Sequence, residues 1–407
     1  MTCLLIANFF TPIRGGSAVV YQALCEFSSP GSMIVLAPWR MFADGSEIPG
    51  WREHDAAAKY PIHRLELLRP REATGSSSFL ISAWRWLTTD LPLMVRVFLK
   101  VREIVRQHNV KVICIGELVT SSWIGLLGQR FLGCKMISYI HGEEITTEMG
   151  YRFYGRQRKR YLHKADAVVA VSHFTEKALI RLMDVDQKRI HLFHNGVDVE
   201  RFQPGPKRAD LIARHGLAGK RVILTVGRIV PRKGFDAVIR AMPKILEQVP
   251  DAHYLIVGGG HYRPTLEALV AEHGVGEHVT FAGMVTDEDL ADYYRLCDLF
   301  VMANREMPDG DTEGFGLVFL EANACGKPVV GGIAGGAVEA VRQGENGLLV
   351  DSWSVAEIAE TITRLLTDAQ LYVRIAARGL EIAQDSSSRA KAEQFQELCN
   401  RLTTVAG

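Results

Sequence analysis

The chain lacks most of the features that mark secreted, nucleic-acid-binding or membrane-spanning proteins. Its seven cysteines are an odd number, contain no Cys-x-x-Cys pair and lie in apolar surroundings, so we expect reduced core thiols and a cytoplasmic location. The formal net charge of +1 disfavours a nucleic-acid partner. No uninterrupted apolar run reaches membrane-spanning length, and the apolar N-terminus has no basic leader. We therefore expect any membrane contact to be peripheral, on the inner membrane face.

The small net charge conceals an uneven distribution. Residues 1–198 contain 25 Lys and Arg against 18 Asp and Glu, a balance of +7, whereas the remainder carries −6. A basic first half favours an anionic partner, either a membrane surface or a phosphorylated acceptor. Two predicted helical segments mix aromatic and basic residues: 79–107, which contains Trp84 and Trp86, and 151–164. Each fits either a contact with anionic lipid or an ordinary helix with one core face and one solvated face.

The length of 407 residues and the hydrophobic content of 47% suit two globular domains. Apolar strand-like runs alternate with helical patterns along the whole chain, which predicts an α/β fold of parallel sheets covered on both faces. The segment 198–219 contains Pro204, Gly205 and Pro206 and resembles a linker, after which the alternation begins again. We therefore place a first domain at 1–196 and a second at 197–387. Residues 39–79 show no clear pattern and suggest an irregular binding loop.

The most informative stretch is 304–328. An apolar run, Leu299–Ala303, predicts a buried strand; a polar glycine-rich loop follows, and a helical pattern begins after Gly316. A helix N-terminus at the end of a strand suits a phosphate group. Glu313 and Glu321 are eight residues apart, about 12 Å along a helix, so one could meet the sugar and the other the ribose of a nucleotide sugar. A solvated loop glutamate and an ordinary helical glutamate remain an equal alternative.

Other candidate site residues also follow predicted strands, where ligands collect in doubly wound sheets. Arg228 and Lys233 suit a diphosphate, because two cations can neutralise it as it leaves. Gly15-Gly16 lets backbone N–H groups approach an anion. His141 is placed to touch a substrate; a metal site formed with Glu143 and Glu144 is the competing interpretation. The turn at 281–285, which includes Gly283, Met284 and Val285, is suited to border a flat base.

Together these motifs resemble one enzyme family. The motifs that carry the resemblance are Glu313–Glu321 (Glu-x7-Glu), Gly227–Gly234, Gly15-Gly16, His141-Gly142 and Asn195–Asp198. They are similar to those of the retaining glycosyltransferases of family 4, and the resemblance extends over nearly the whole chain. It implies the GT-B fold, in which two Rossmann-like domains face each other across a cleft. It also implies that the C-terminal helix, 388–407, packs back on the first domain.

Within that family, the segment 311–326 is most similar to bacterial phosphatidylinositol mannoside mannosyltransferases. Glu143 stands where those enzymes have a second histidine. The resemblance implies that Arg228 and Lys233 bind the donor diphosphate, that Glu321 holds the ribose, and that Glu313 holds the transferred sugar with His141 beside it. The predicted catalytic residues are His141, Glu313, Arg228 and Lys233. The predicted donor-binding residues are Gly15, Gly16, Arg228, Lys233, Gly283, Met284, Val285, Glu313, Gly314, Phe315, Gly316, Leu317 and Glu321.

These observations predict a retaining, metal-independent glycosyltransferase without a bound cofactor. Its donor would be a nucleotide diphosphate sugar with GDP or UDP, and its acceptor a lipid-linked or glycan precursor. An epimerase or glycan phosphorylase on the same scaffold is a second possibility, although no lysine motif typical of pyridoxal-phosphate phosphorylases is present. A nucleotide-sugar-binding protein without turnover is a third.

Overall fold

Two parallel β-sheets organise the chain in a computed structural model that describes residues 1–13, 15–70 and 79–404. The side chains of residues 79, 80, 82 and 148–155 lie outside this description. Each sheet belongs to one compact unit. The N-terminal unit comprises residues 1–171, 175–193 and 388–407, and the C-terminal unit comprises 172–174 and 194–387. The boundary predicted after residue 196 lies three residues beyond the change of unit after Phe193.

The N-terminal unit is built on seven strands, all paired in parallel, in the order β3-β2-β1-β4-β5-β6-β7. They are β1 (Cys3–Ile6), β2 (Met33–Pro38), β3 (Ile62–Leu65), β4 (Val112–Ile115), β5 (Lys135–Ile140), β6 (Ala167–Ala170) and β7 (Ile190–Leu192). The central strands are rich in Val, Ile and Leu, because a parallel sheet is buried on both faces. Leu4, Ile113 and Val168, for example, belong to one core cluster.

The C-terminal unit repeats this plan with six parallel strands in the order β10-β9-β8-β11-β12-β13. They are β8 (Arg221–Val226), β9 (Ala252–Val257), β10 (Val279–Gly283), β11 (Leu299–Met302), β12 (Val329–Gly332) and β13 (Gly347–Val350). Ile223, Tyr254 and Val301 are fully buried in its core. In both sheets the first strand in sequence lies inside the sheet, so the strand order reverses beside it, where doubly wound sheets bind ligands.

Helices connect the strands, as the alternating pattern predicts. The first eight are α1 (Gly16–Glu26), α2 (Trp51–Ala57), α3 (Phe79–Arg85), α4 (Leu91–His108), α5 (Leu118–Leu132), α6 (Glu143–Thr146), α7 (Glu148–Lys164) and α8 (His173–Met183). The next eight are α9 (Ala209–His215), α10 (Phe235–Gln248), α11 (Arg263–Glu272), α12 (Asp287–Leu296), α13 (Leu317–Ala324), α14 (Ala337–Ala340), α15 (Val355–Thr367) and α16 (Ala369–Asp385). None of the helices in the described ranges is both long and apolar enough to cross a bilayer.

The final helix, α17 (Ser388–Thr404), belongs to the N-terminal unit, where it packs against α1. Phe395 of this helix is fully buried, and its ring lies 6.3 Å from that of Tyr139 in β5. The seven cysteines are all buried with free thiols, as predicted for core residues.

Two expectations about local structure were wrong or incomplete. The segment 39–79, expected to be irregular, contains α2 and the edge strand β3; residues 71–78 lie outside the described structure. The sequence of β3, Ile-His-Arg-Leu, is only half-buried, so it lacks the apolar run that identifies the inner strands. The predicted helical segment 79–107 is divided into α3, a π-helical turn at Trp86–Asp90 and α4. Pro92 lies in the first turn of α4, where a missing N–H costs little.

Candidate active site

The loop between β11 and α13 shapes the centre of the C-terminal unit's candidate site. Gly316 caps α13 with a φ of 94°, a left-handed conformation that favours glycine. A Cβ at this position would also lie 2.7 Å from the Phe319 ring. The preceding Phe315 is buried and stacks on His194 at 5.5 Å. The loop is therefore held in one shape at the point where α13 presents its first N–H groups.

Glu313 is bound by two cationic side chains. Lys233 donates a hydrogen bond from Nζ to Glu313 Oε2, and Arg232 donates to the same oxygen from Nη1 at 3.2 Å. All three side chains are largely buried. Burial alone would raise the pKa of the Glu313 carboxyl, but Lys233 and Arg232 outweigh it and hold that pKa below its ordinary value. Glu313 is thus a fixed, ionised hydrogen-bond acceptor, rather than a solvated loop residue.

Arg228, the other predicted cation, is in a different environment. It follows β8 and is exposed, and no hydrogen bond or ion pair to it is found among the residues that the structure describes. Arg232, by contrast, was missed by the sequence interpretation although it is buried beside Glu313. Nothing in the run Pro231-Arg232-Lys233 distinguishes an arginine that faces inward from one that faces solvent. Arg232 also lies 3.1 Å from Asp311.

Glu321 has a neutral partner instead of a cation. The hydroxyl of Tyr294, on α12, donates to Glu321 Oε2 at 2.6 Å, and both side chains are buried. Burial raises the pKa of Glu321, although the hydrogen bond opposes that shift. The two glutamates of the Glu-x7-Glu motif therefore have distinct surroundings: Glu313 contacts Lys233 and Arg232, whereas Glu321 contacts Tyr294.

Two further glycine-rich turns border the strand ends of this unit. Gly283 ends β10 with a φ of 75°, and Met284 after it is 76% exposed. Met284 lies against Gly259, because a Cβ added to Gly259 would be 3.3 Å from Cγ of Met284. An exposed methionine beside a glycine backbone fits the predicted border of a flat base. Gly336 donates its N–H to the carbonyl of Glu313 at 2.8 Å. That bond fixes the backbone that carries the acidic side chain.

In the N-terminal unit, Gly15 and Gly16 form the exposed start of α1. A Cβ built on either glycine meets no atom of the described chain within 4 Å, and neither has a φ in the left-handed region. The fold itself therefore does not require glycine here. Close approach of a ligand to this backbone would require it.

Glu117 supports the loop that leads into α1, a contact that the sequence did not indicate. Its carboxylate accepts the backbone N–H groups of Asn8 at 2.8 Å and Phe9 at 3.1 Å, just after the end of β1. Burial raises the pKa of Glu117 to about 7, against the effect of these hydrogen bonds. The residue is 109 positions from Asn8, which explains why local pattern analysis could not find it.

His141 lies at the carboxyl end of β5, as predicted, and is half-buried. Its Nε2 is 2.9 Å from the hydroxyl of Tyr21 in α1, and its ring stacks on Tyr139 at 5.2 Å. Burial lowers the pKa of His141 to about 4, so the imidazole is neutral at pH 7. The N-terminal unit thus places a neutral imidazole against aromatic rings at this strand end.

The competing metal interpretation of His141, Glu143 and Glu144 gains no support. Glu144 uses its carboxylate to accept the N–H groups of His141 and Gly142, both at 3.1 Å. Among the described residues, the one group with ligand atoms close enough to share an ion is His173, His194 and Glu339. Glu339 there accepts hydrogen bonds from His194 Nε2 at 2.9 Å and from the backbone N–H of His173 at 2.8 Å. That group is already joined by its own hydrogen bonds.

The two basic and aromatic segments differ in exposure. In α7, Arg158, Tyr161 and Leu162 are buried, so one face of this helix packs against the core. Its residues Arg156, Arg160 and Lys164 are exposed, and the side chains of 151–155 lie outside the described structure. The segment from α3 to α4 instead carries a row of exposed apolar side chains spaced three or four residues apart, about one helical turn. We call this row the apolar stripe: Ile81, Trp84, Leu87, Leu91, Val95 and Leu99, each between 37% and 71% exposed. Trp86 is also exposed.

Comparison with known proteins identifies the family. Residues 63–201 match the family model "Glycosyltransferase Family 4", and residues 207–381 match "Glycosyl transferases group 1". A relative from Mycolicibacterium smegmatis, named GDP-mannose-dependent alpha-(1-6)-phosphatidylinositol monomannoside mannosyltransferase, is 31% identical over 97% of each chain.

Solved structures agree on the fold. Anabaena HepE in complex with UDP and glucose matches with a TM-score of 0.78 at 22% identity, covering 98% of this chain and 99% of that one. Sucrose-phosphate synthase from Thermosynechococcus elongatus matches with a TM-score of 0.75 at 24% identity over the full length of both chains. At these identities the likeness shows the fold alone. From the family models and the mycobacterial relative together, we conclude that the chain belongs to glycosyltransferase family 4 and has the GT-B fold.

Proposed function

We propose that the protein is a retaining, metal-independent hexosyltransferase that moves an α-linked sugar from a nucleotide diphosphate sugar to an acceptor. The observation that carries this proposal is the buried contact of Lys233 and Arg232 with Glu313 in the strand-end loops of the C-terminal unit. Such a cluster supplies both fixed positive charge for a diphosphate and an ionised acceptor for sugar hydroxyls.

The cations take the role that a divalent ion has in other transferases. As the bond between the anomeric carbon and the phosphate oxygen breaks, negative charge accumulates on the leaving diphosphate. Lys233 and the exposed Arg228 supply compensating charge, and the N–H groups at Phe315 and Gly316 add hydrogen-bond donors at the start of α13. Because Lys233 is buried, its charge acts in a low-dielectric environment where it is worth more than in water.

Glu313 holds the sugar rather than attacking it. Two cations bind the same carboxylate oxygen, which makes the carboxylate a poor nucleophile while it stays ionised and able to accept hydrogen bonds from sugar hydroxyls. We propose that the acceptor hydroxyl attacks the anomeric carbon from the side that the diphosphate leaves. The acceptor oxygen forms the new bond, the phosphate oxygen takes the bonding pair, and the acceptor proton passes to that phosphate. This path retains the α configuration.

We propose GDP-mannose as the donor, since the mycobacterial relative, which covers nearly the whole chain, is named GDP-mannose-dependent. A thermal-shift screen of GDP and UDP tests the choice by linkage, because a ligand at about 100 times its Kd adds about 2.7 kcal/mol to stability. GDP should raise the Tm, and UDP should raise it less. A shift with UDP alone would contradict GDP-mannose as the donor. No shift with either nucleotide would contradict nucleotide binding.

We propose a lipid-linked acceptor, reached by docking of the N-terminal unit on an anionic membrane surface. The same relative is named for a phosphatidylinositol monomannoside acceptor. The apolar stripe provides the surface: Leu91, Val95 and Leu99 line an open groove. Arg96, Lys100 and Glu103 also line it, and Lys100 is paired with Glu103 at 2.7 Å. Apolar side chains bordered by basic ones favour an anionic interface.

Flotation with anionic liposomes tests the membrane proposal. The wild-type chain should float at low salt and less at high salt, because the charge contribution is screened. Leu99→Glu should reduce flotation strongly. Val373→Glu changes another exposed apolar residue, on α16, and is the matched control, which should not reduce flotation. Absence of wild-type flotation at low salt, or equal loss in both variants, would remove the lipid argument.

Product analysis tests the reaction itself. With GDP-mannose and a phosphatidylinositol mannoside acceptor, we expect a mannosylated product and free GDP in equal amounts. Conversion of the donor's sugar without an acceptor would instead indicate an epimerase. Binding of nucleotide without any product would indicate a non-catalytic protein.

A further inference from the structure

Tyr21 joins three parts of the N-terminal unit at one hydroxyl group. It lies on α1, the helix that begins at Gly16, and is completely buried. Its hydroxyl donates a hydrogen bond to the carbonyl oxygen of Gly116 at 2.7 Å, just after β4. The same oxygen lies 2.9 Å from Nε2 of His141, just after β5.

The proton count at this hydroxyl fixes the direction of the second hydrogen bond. A phenol has one proton, and a carbonyl oxygen can only accept. Because the Tyr21 proton is directed to Gly116, the Tyr21 oxygen can only accept from His141. Nε2 of His141 therefore carries a hydrogen. In a neutral imidazole only one nitrogen does, so Nδ1 is left with a lone pair.

The surroundings keep both rings in this arrangement. A Cβ at Gly116 would lie 3.0 Å from Cε2, Cζ and the hydroxyl oxygen of Tyr21, so the small residue makes room for the close approach of the phenol. Tyr139 stacks on one face of His141. The backbone N–H groups of His141 and Gly142 are held by Glu144. Neither the ring nor the backbone beneath it can turn without breaking several contacts.

The ionisation states agree with the proton count. Burial lowers the pKa of His141 to about 4, so the ring is neutral at pH 7 and has a single N–H. Burial also raises the pKa of Tyr21 well above its ordinary value, and the nearby Glu117 adds to that shift. The phenol therefore keeps its proton throughout the neutral range.

We propose that Tyr21 is a positioning residue that holds His141 as the Nε2–H tautomer and leaves Nδ1 as a hydrogen-bond acceptor for a ligand hydroxyl. The ligand-facing part rests on the proposed function; the tautomer does not. With its single N–H bound to Tyr21, the ring of His141 can accept a hydrogen bond from a ligand but cannot donate one.

Nitrogen NMR on the full chain with ring-¹⁵N-labelled histidine tests the tautomer at pH 7.5. His141→Gln assigns the His141 signals by their disappearance. We expect a protonated-type shift at Nε2 and an unprotonated-type shift at Nδ1 in the wild-type chain. The reverse pattern, or shifts averaged between the two forms, would overturn the proposal without any measurement of activity.

Two matched variants separate positioning from packing. Tyr21→Phe removes the hydroxyl that accepts from His141, and its His141 shifts should move towards the average of the two tautomers. Tyr139→Phe removes a hydroxyl from the other buried tyrosine against the same ring, where the contact is stacking, and should keep the wild-type pattern. An unchanged pattern in Tyr21→Phe would overturn the proposal. If Tyr21→Phe does not fold, the wild-type spectrum still decides the tautomer.

Kinetics test the part that concerns the ligand. We expect Tyr21→Phe to lower kcat about tenfold with GDP-mannose while GDP binding, measured by calorimetry, stays within about threefold of wild type. Unchanged kcat in a variant with averaged nitrogen shifts would overturn the ligand-facing role. A wild-type chain that shows the expected tautomer but transfers no sugar would overturn the proposed function instead.

Discussion

The strand ends of the two units share an architecture but differ in electrostatics. In the C-terminal unit, Glu313 is ionised and bound by Lys233 and Arg232. In the N-terminal unit, His141 is neutral and bound by the hydroxyl of Tyr21. A charged cluster suits a group whose charge changes during reaction, whereas a neutral, aromatic environment suits recognition of hydroxyls. The comparison indicates that the parallel-sheet plan fixes where side chains gather, and that neighbouring residues decide their chemistry.

The largest effect is expected when a cation is removed from the Glu313 cluster of the C-terminal unit. Lys233→Ala should lower kcat about 1000-fold, because it removes fixed charge beside the leaving diphosphate. Lys244→Ala, at an exposed position on α10, is the control and should leave kcat within about twofold. Initial-rate measurements with saturating donor provide the comparison. Near-normal turnover in Lys233→Ala would contradict the role given to the charged cluster.

A smaller effect is expected when the charge of Glu313 is removed and its shape is kept. Glu313→Gln should lower kcat about 100-fold, because an amide is a weaker acceptor for sugar hydroxyls than a carboxylate. Its affinity for GDP, measured by calorimetry, should change less than threefold. Glu306→Gln, an exposed glutamate in the same loop, controls for nearby charge. Equal losses of transfer and of GDP affinity would contradict the placement of Glu313 against the sugar.

The neutral state of His141 in the N-terminal unit should be visible in the pH dependence of the protein's stability. The pKa of His141 is about 4 in the folded chain and about 6.5 when unfolded. The unfolded state therefore binds more protons below pH 6.5, and stability falls as the pH decreases towards 4. Between pH 7 and pH 5 this difference is worth about 2 kcal/mol.

Urea unfolding of wild type and His141→Gln at both pH values isolates that contribution, because other histidines titrate in both proteins. Wild type should lose about 2 kcal/mol more than the variant between pH 7 and pH 5. Parallel losses would mean that His141 is not a buried neutral group, and the contrast between the two units would disappear.

The smallest effect is expected at the start of α1. Gly16→Ala should raise the donor KM about tenfold, because a methyl group would obstruct a phosphate that approaches the backbone. Its Tm should not fall, since the added Cβ meets nothing in the described chain. Gly276→Ala also adds a methyl group into open space and should change neither quantity. A lower Tm in Gly16→Ala would show that the glycine serves the fold.

Much of the fold followed from local patterns. Strands such as β6 and β11 lie within apolar runs, because burial on both faces leaves a strong signature in short segments. The positions of His141 and Glu313 followed in turn, since His141 comes just after β5 and Glu313 lies in the loop between β11 and α13. The half-buried edge strand β3 has no such signature and was missed.

The partners of the site residues could not be predicted in the same way. Tyr294 is 27 residues from Glu321, and Tyr21 is 120 residues from His141; no periodicity links either pair. Arg232 is adjacent to Lys233 in sequence, but only the turn of the backbone after β8 decides that both face Glu313. These long-range contacts decide the surroundings of each site residue, and the surroundings decide its charge state.

Calorimetric titration of the wild-type chain with GDP, in buffer containing excess EDTA, tests the central claim most directly. If side-chain cations replace a metal, the affinity for GDP in EDTA should equal the affinity for GDP with added Mg²⁺, within about twofold. Binding that disappears in EDTA and returns with Mg²⁺ would contradict a diphosphate site built from Arg228, Lys233 and the first N–H groups of α13.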